Sequence, residues 1–346
     1  KNCGQWGEAG NYYTKDTGLL RETMNIDALK GFIDDVSKFS PTIFLTGGEP
    51  FFYKNIIELI RYIKQKNLIC WIVTNGTLLD KYANDVVELG VDVLYISLDG
   101  PEEIHNENRG TKDGYRKLAS GVRKILDIKK NTNKQKPLVC QVFTISESSY
   151  QYLEETATTT EKLGFEMLLV KHPYFNNTRT GKNYENTMER HFQCNATSWK
   201  GWVRDETCID TGLLQQSISH LLTRKHKFKL AFFPALKISD IPGYYSPEQD
   251  IFYNGTKPGG SIKRCIAPWT HIMIYPNGDA VFCNDNPDYV LGNIKNERFS
   301  EIWNNAKSRK FRKFIRKDFL SICSRCCGLY YHPFYRSGSS LKSLAR

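Results

Sequence analysis

The sequence predicts an α/β protein built from repeated parallel βα units, followed by a small cysteine-bearing module. Three observations predict it. Short apolar runs alternate with helix-period segments through the first half of the chain. Three successive runs end in glycine together with polar or acidic residues. Five of the ten cysteines fall at or beyond residue 265.

The elements follow in order. Ile26, Leu29, Phe32, Ile33 and Val36 recur at helical spacing. A short apolar run, Thr42 to Thr46, ends at Gly47-Gly48. The next helix carries Ile56, Ile57, Leu59, Ile60 and Ile63 on its apolar face. A run over 68–74 precedes a helix near 82–89, and a run over 91–98 precedes a helix near 115–128. Another run covers 138–145, then a helix near 152–163, then a run over 165–170. Such runs are nearly continuous in apolar character, as strands covered on both faces are. Strands separated by helices require right-handed crossovers and a parallel sheet, either a (β/α) barrel or an open doubly wound sheet. In both, function gathers at the C-terminal strand ends. From 171 to 260 the pattern weakens, although a helix near 213–224 and a run over 227–233 add one more βα pair. The composition of 242–260 is that of a connection.

A chain of 346 residues has room for about two domains. With 40% hydrophobic and 25% charged residues it has an ordinary globular composition. No run of 18 or more apolar residues occurs, so no segment reads as a membrane-spanning helix. The net charge of +11 fits an anionic partner or bound anionic cofactors. The densest positive run, Lys307 to Lys317, reads as a solvated helix face. No nucleic-acid-reading motif is present, and neither GxGxxG after a strand nor GxxxxGK[ST] occurs.

The strand ends carry the chemistry. Thr46-Gly47-Gly48-Glu49-Pro50 follows one run, and Thr74-Asn75-Gly76-Thr77 the next. Ser97-Leu98-Asp99-Gly100-Pro101 follows the third, with His105 and Arg109-Gly110 shortly after. Taken singly, each glycine is a strand-to-helix turn and each polar residue a helix cap. Repeated on three consecutive strands at one edge, they describe a ligand site offering Glu, Asn, Ser, Asp and Arg together. Cys70 and Cys140 lie inside apolar runs and read as inert core thiols. Cys194 and Cys208 have no assignment. Cys265, Cys283 and the Cys323-Ser-Arg-Cys326-Cys327 segment are a four-thiolate donor set for zinc or an iron–sulfur cluster, and spacing alone leaves both open.

On these residues the chain resembles the radical S-adenosylmethionine (SAM) enzymes. Gly47-Gly48-Glu49-Pro50 matches that superfamily's GGEP motif, and Ser97-Leu98-Asp99-Gly100 with His105 and Arg109-Gly110 resembles its ribose and carboxylate strand. Lys1-Asn2-Cys3-Gly4-Gln5-Trp6 resembles the end of the CxxxCxxC loop, with Cys3 as its last cysteine. Asn2 stands where an aromatic residue is usual. Twelve residues separate Cys265 from Gly278 and four separate Gly278 from Cys283, as in the SPASM/twitch module. Cys265-Ile-Ala-Pro-Trp269, Pro276-Asn-Gly278 and Ile302-Trp303-Asn304 strengthen that likeness.

The resemblance implies a partial (β/α)6 barrel over residues 1–235, lacking its first strand and two cluster cysteines. A connection over 236–260 follows, then a cysteine-rich α+β module over 261–346. It implies an oxidoreductase-type enzyme that cleaves SAM reductively to a 5′-deoxyadenosyl radical, which takes hydrogen from a peptide or a sugar- or cyclitol-type small molecule. The implied cofactors are SAM, a catalytic [4Fe–4S] cluster that this chain completes only in part, and one auxiliary [4Fe–4S] cluster for electron transfer. Gly47, Gly48 and Pro50 would shape the methionine site and Glu49 would receive the SAM ammonium. Thr74, Asn75 and Gly76 would line the same edge, Ser97 and Asp99 would bind ribose, and Arg109 would pair with the SAM carboxylate. His105 would orient its loop. Cys3 would ligate the catalytic cluster, and Cys265, Cys283, Cys323 and Cys326 the auxiliary one, with Cys327 as the alternative to Cys326. A flavodoxin- or ferredoxin-type donor, no membrane partner, no nucleic-acid partner and a reducing cytoplasmic setting follow. The alternatives are a catalytically inactive fragment or a zinc-binding interaction protein.

Overall fold

The computed structural model describes residues 22–248 and 265–326. Cys3 and Cys327 lie outside the described residues. Six strands pair in parallel and in strict chain order: β1 (Thr42–Leu45), β2 (Ile69–Thr74), β3 (Val93–Ser97), β4 (Leu138–Thr144), β5 (Met167–Lys171) and β6 (Lys229–Phe233). This order is that of a barrel wall, and β6 is not paired with β1, so the expected partial (β/α)6 barrel stands and the doubly wound sheet is excluded. Helix α1 (Ile26–Ser37) precedes β1, and the crossovers carry α2 (Ile56–Gln65), α3 (Leu79–Glu88), α4 (Glu102–Arg109), α5 (Gly114–Asn131), α6 (Leu153–Leu163), α7 (Thr178–Phe192) and α8 (Thr211–Thr223).

Strand alternation sorts the side chains. Ile43, Leu45, Cys70, Ile72, Leu94, Ile96 and Val139 face the helices in one core, and Phe143, Leu168 and Val170 do so in a second. Trp71, Val73, Val93, Tyr95, Cys140, Val142, Met167, Leu169 and Ala231 face the barrel interior. Cys70 and Cys140 are fully buried, as expected of core thiols. Burial pushes the Cys70 thiol up to about 12 and that of Cys140 higher still.

The N-terminal ends of the strands are locked by buried charge. Asp92, whose side chain is 3% exposed, accepts from Lys64 Nζ at 2.5 Å, from the Cys70 amide at 2.8 Å and from Lys136. Lys129 donates to Glu166 at 2.6 Å and to the Pro137 carbonyl at 2.8 Å. These contacts join β2, β3, β4 and β5 at the edge away from the motifs.

After β6, α9 (Ile241–Tyr245) packs Ile241, Tyr244 and Tyr245 into the second helix-facing core. The stretch 236–260 is therefore not wholly a loose connection. The C-terminal module holds α10 (Ala267–Thr270), a three-stranded antiparallel sheet of β7 (Met273–Ile274), β8 (Asp279–Val281) and β9 (Gly292–Asn293), then α11 (Phe299–Asn304) and α12 (Ala306–Ile315). It shares its core with Tyr184, Met188, Phe192, Ala196 and Trp199, so by packing α7 and the turn after it join the C-terminal module. Gly278 at the β7–β8 turn has φ +92, and a Cβ there would come within 2.4 Å of Asn293 Oδ1. The basic run is α12, and only part of it is a solvated face. Phe311 and Ile315 are buried, and the Arg312 guanidinium stacks 4.3 Å from Trp303 and 4.8 Å from Phe282. Among the described residues, no helix is long and apolar enough to cross a membrane.

Replacing Asp92 with Ala leaves two lysines and an amide without their acceptor. The expected loss is about 3 kcal/mol of unfolding free energy, read by urea denaturation. Burial alone would raise the Asp92 carboxyl, but the hydrogen bonds from Lys136, Lys64 and the Cys70 amide outweigh it and hold it below its ordinary value. The difference between wild type and variant is therefore full above about pH 4 and shrinks as pH falls through the lowered value.

Candidate functional site

Glu49 ends the loop after β1, and its carboxylate ties that loop to the end of β2. Oε1 accepts from Thr74 Oγ1 at 2.8 Å and from the Phe51 amide at 3.2 Å, and Oε2 accepts from the Asn75 amide at 2.7 Å. Burial raises the Glu49 carboxyl, and these three donors draw it back in part. Gly76 follows with φ +82, its amide on Thr74 Oγ1 at 3.0 Å. A Cβ at Gly76 would come within 2.7 Å of Leu118, so the turn requires glycine twice over. Gly47 and Gly48 are exposed, and a Cβ at Gly47 (φ +146) would meet nothing within 4 Å. Pro50 is buried and starts a short helical turn. The loop thus presents open backbone beside a half-buried, fixed carboxylate.

At the end of β3, Ser97 is half-buried on the interior face, and its hydroxyl has no hydrogen-bond partner among the described residues. Asp99 is buried and grips Arg109 through two bonds, Nε to Oδ2 at 2.5 Å and Nη2 to Oδ1 at 3.0 Å. The residues expected to hold ribose and the SAM carboxylate are therefore paired with each other. A guanidinium carries five N–H donors, and two are used here. The pair can turn its remaining donors and lone pairs to a ligand while fixing both side chains. His105 is buried, and its Nδ1 accepts from the Asp99 amide at 3.3 Å. Burial lowers it to about 4, so it is neutral near pH 7 and orients the loop as expected. Gly47–Pro50, Thr74–Gly76, Ser97, Asp99 and Arg109 thus lie along one edge of three adjacent strands.

The thiols gather elsewhere. Cys265, Cys283 and Cys323 lie in one apolar core, and Cys194, which the sequence left unassigned, lies in it too. Its Sγ donates to the Asp288 carbonyl at 3.1 Å. Burial pushes the Cys323 thiol well up, and Cys265 and Cys283 raise it further. Cys326 sits near enough to Tyr174 to help raise that phenol, after burial. Three of the four expected thiol ligands share this core, and such soft donors fit an iron–sulfur cluster or zinc, either of which removes the thiol protons. Among the described residues no three Cys, His, Asp or Glu side chains are drawn to metal-ligating spacing. Cys208 is exposed and apart from this core. Arg325, between Cys323 and Cys326, is 3% exposed. It donates to the Tyr244 and Ser246 carbonyls, each at 2.7 Å, and its guanidinium lies 4.2 Å from the Phe175 ring. Its place inside the CxxC segment was the one sequence signal for this role.

Comparison with known proteins places these features. Residues 9–144 match the family model of the radical SAM superfamily, and residues 265–327 match the SPASM model, described as an iron–sulfur cluster-binding domain. Fe-coproporphyrin III synthase of Methanosarcina barkeri is 38% identical over 321 residues, 86% of this chain and 71% of that protein. AdoMet-dependent heme synthase of Oleidesulfovibrio alaskensis is 31% identical over 308 residues, 83% of this chain and 68% of that protein. The crystal structure of Streptococcus suis SuiB bound to S-adenosylmethionine superposes with a TM-score of 0.58 at 15% identity, covering 97% of this chain and 71% of that one. That likeness establishes the fold.

Glu49→Gln sets an amide NH2 against the Asn75 N–H or against the Thr74 and Phe51 donors. Unfolding free energy is expected to fall by about 1–3 kcal/mol, measured by denaturant titration. Glu49→Ala, which removes the acceptor altogether, is expected to cost at least as much.

Proposed function

The chain belongs to the radical SAM superfamily and carries a SPASM iron–sulfur cluster-binding domain, and from that premise we propose an oxidoreductase-type enzyme acting on a carboxylate-bearing iron tetrapyrrole. [4Fe–4S] clusters and SAM are its cofactors. When bound, they supply an electron to the sulfonium and a 5′-deoxyadenosyl radical that takes hydrogen from a substrate C–H bond.

In this reading the chain's residues position that chemistry. Glu49, fixed by Thr74, Asn75 and Phe51, turns its remaining lone pair to the SAM ammonium, and the Gly47–Gly48 backbone leaves room for the methionine moiety. Ser97 and Asp99 take the ribose hydroxyls, and Arg109, held by Asp99, offers its free N–H groups to the SAM carboxylate. Cys3 ligates the catalytic cluster. Cys265, Cys283, Cys323 and Cys326 ligate one auxiliary cluster for electron transfer, and a flavodoxin- or ferredoxin-type protein donates electrons in the cytoplasm.

The observation that carries the substrate reading is the 38% identity to Fe-coproporphyrin III synthase across 86% of this chain. The barrel interior agrees with it. Phe44, Trp71 and Tyr95 meet edge to face there with centroids 5.8 to 6.1 Å apart, a surface suited to a large aromatic ring. A tetrapyrrole is favoured over the peptide or cyclitol that motif resemblance alone implied, because SuiB with its precursor peptide is 14% identical and alike in fold alone, and the sulfatase-maturating enzyme of Clostridium perfringens is alike in sequence over only 29% of this chain.

The test is anaerobic turnover, by the full-length protein with all three catalytic-cluster cysteines, with dithionite and SAM in three arms: iron tetrapyrroles with acetate and propionate side chains, a cysteine-containing peptide, and no substrate. The expected result is 5′-deoxyadenosine about tenfold above background, with a mass change in the tetrapyrrole, in the first arm alone. Stimulation by the peptide and not by the tetrapyrroles would overturn the substrate reading.

A further inference from the structure

The interior face of the barrel is apolar along its middle, with Thr42 and Lys229 at its N-terminal end, and the C-terminal rim beyond the expected SAM residues carries a cation. Met167 and Leu169 face the interior, and Lys171 is the next β5 residue on that face by strand alternation. Its Cα partners are Thr144 on β4 and Phe233 on β6. Thr144 shares the interior face with Cys140 and Val142. Lys171 and Thr144 are half-buried, and neither the ammonium nor the hydroxyl has a hydrogen-bond or ion-pair partner among the described residues. No strand residue on this face is acidic. The next residue, His172, is buried with Nδ1 on Tyr245 Oη at 2.8 Å, and burial lowers it to about 3, so it brings no charge.

An ammonium over an apolar, aromatic-lined interior is poorly solvated and has no counter-ion on its own face. Strands lie about 4.8 Å apart, so Lys171 on β5 stands about 10 Å across the sheet from Ser97 on β3. That separation leaves the SAM edge on β1–β3 and the cation edge on β4–β6 on opposite sides of one opening.

We propose that Lys171, with Thr144, is the anion subsite of the substrate pocket, binding a substrate carboxylate and so setting which part of the substrate faces the SAM edge. The subsite rests on the tetrapyrrole reading and deepens it: the ammonium supplies charge, the threonine hydroxyl one directional hydrogen bond, and Phe233 an apolar wall.

The test is binding rather than turnover. Iron coproporphyrin III and its tetramethyl ester are titrated, by their Soret absorbance, into wild type, Lys171→Gln and Lys171→Arg. The expected Lys171→Gln result is an approximately tenfold weaker Kd for the free acid with an unchanged Kd for the ester. Lys171→Arg is expected to stay within about threefold of wild type, because it keeps the charge. The wild-type preference for acid over ester should also shrink with added salt. Equal acid binding by wild type and Lys171→Gln would overturn the subsite while leaving the tetrapyrrole reading intact. A parallel loss of ester binding in Lys171→Gln would mark damage to the pocket and overturn the claim that this lysine acts through charge. Failure of wild type to bind acid or ester would overturn the tetrapyrrole reading and the subsite with it.

Discussion

Parallel pairing of all six strands places every strand end of one polarity on a single edge. The rest of the molecule depends on that constraint. The N-terminal edge is closed by buried charge, with Asp92 held by Lys64 and Lys136, and Lys129 held by Glu166. The C-terminal edge is left to short turns, and Glu49 is the tie that joins the first two of them. A carboxylate saturated mostly by backbone and threonine donors is rigid, and rigidity at a ligand edge is what positioning requires. Buried ion pairs stand at one edge, and polar groups with spare bonding capacity at the other.

The C-terminal module is joined to the barrel by directional contacts as well as by apolar packing. Arg325 reaches from the CxxC segment to the carbonyls of α9, and Asn286 donates to Tyr174 Oη at 2.8 Å. Within the module, Tyr184 of α7 donates to Asp288 at 2.9 Å. These bonds fix where the thiol core stands relative to β5 and the residues after it. The net charge of +11 fits the anionic character of a thiolate cluster.

Much of this was legible in the sequence, for physical reasons. Strands buried on both faces need continuous apolar runs, so 68–74, 91–98 and 138–145 stand out without an alignment. Turns that need left-handed backbone need glycine, so Gly76 and Gly278 mark their turns. What stayed hidden depends on long-range pairing. Asp99 and Arg109 read as two separate ligands until the fold closed a bidentate bond between them. Cys194 sits in an Asn- and Thr-rich stretch with no periodicity, and only packing brings it to the other thiols. Lys171 ends an apolar run and looks like a strand terminus. Its meaning comes from strand parity, which turns it inward. The Lys307–Lys317 run reads as solvated because charge dominates its composition, yet Arg312 spends its guanidinium on Trp303 and Phe282.

The proposed redox roles all require iron rather than zinc at the thiol site. Iron, zinc and acid-labile sulfide counted per chain after anaerobic reconstitution, in wild type and in Cys283→Ala, test that requirement most directly. The account predicts iron and sulfide in equal amounts, with about four of each lost in the variant. About one zinc per chain without sulfide, lost on the same substitution, would contradict it.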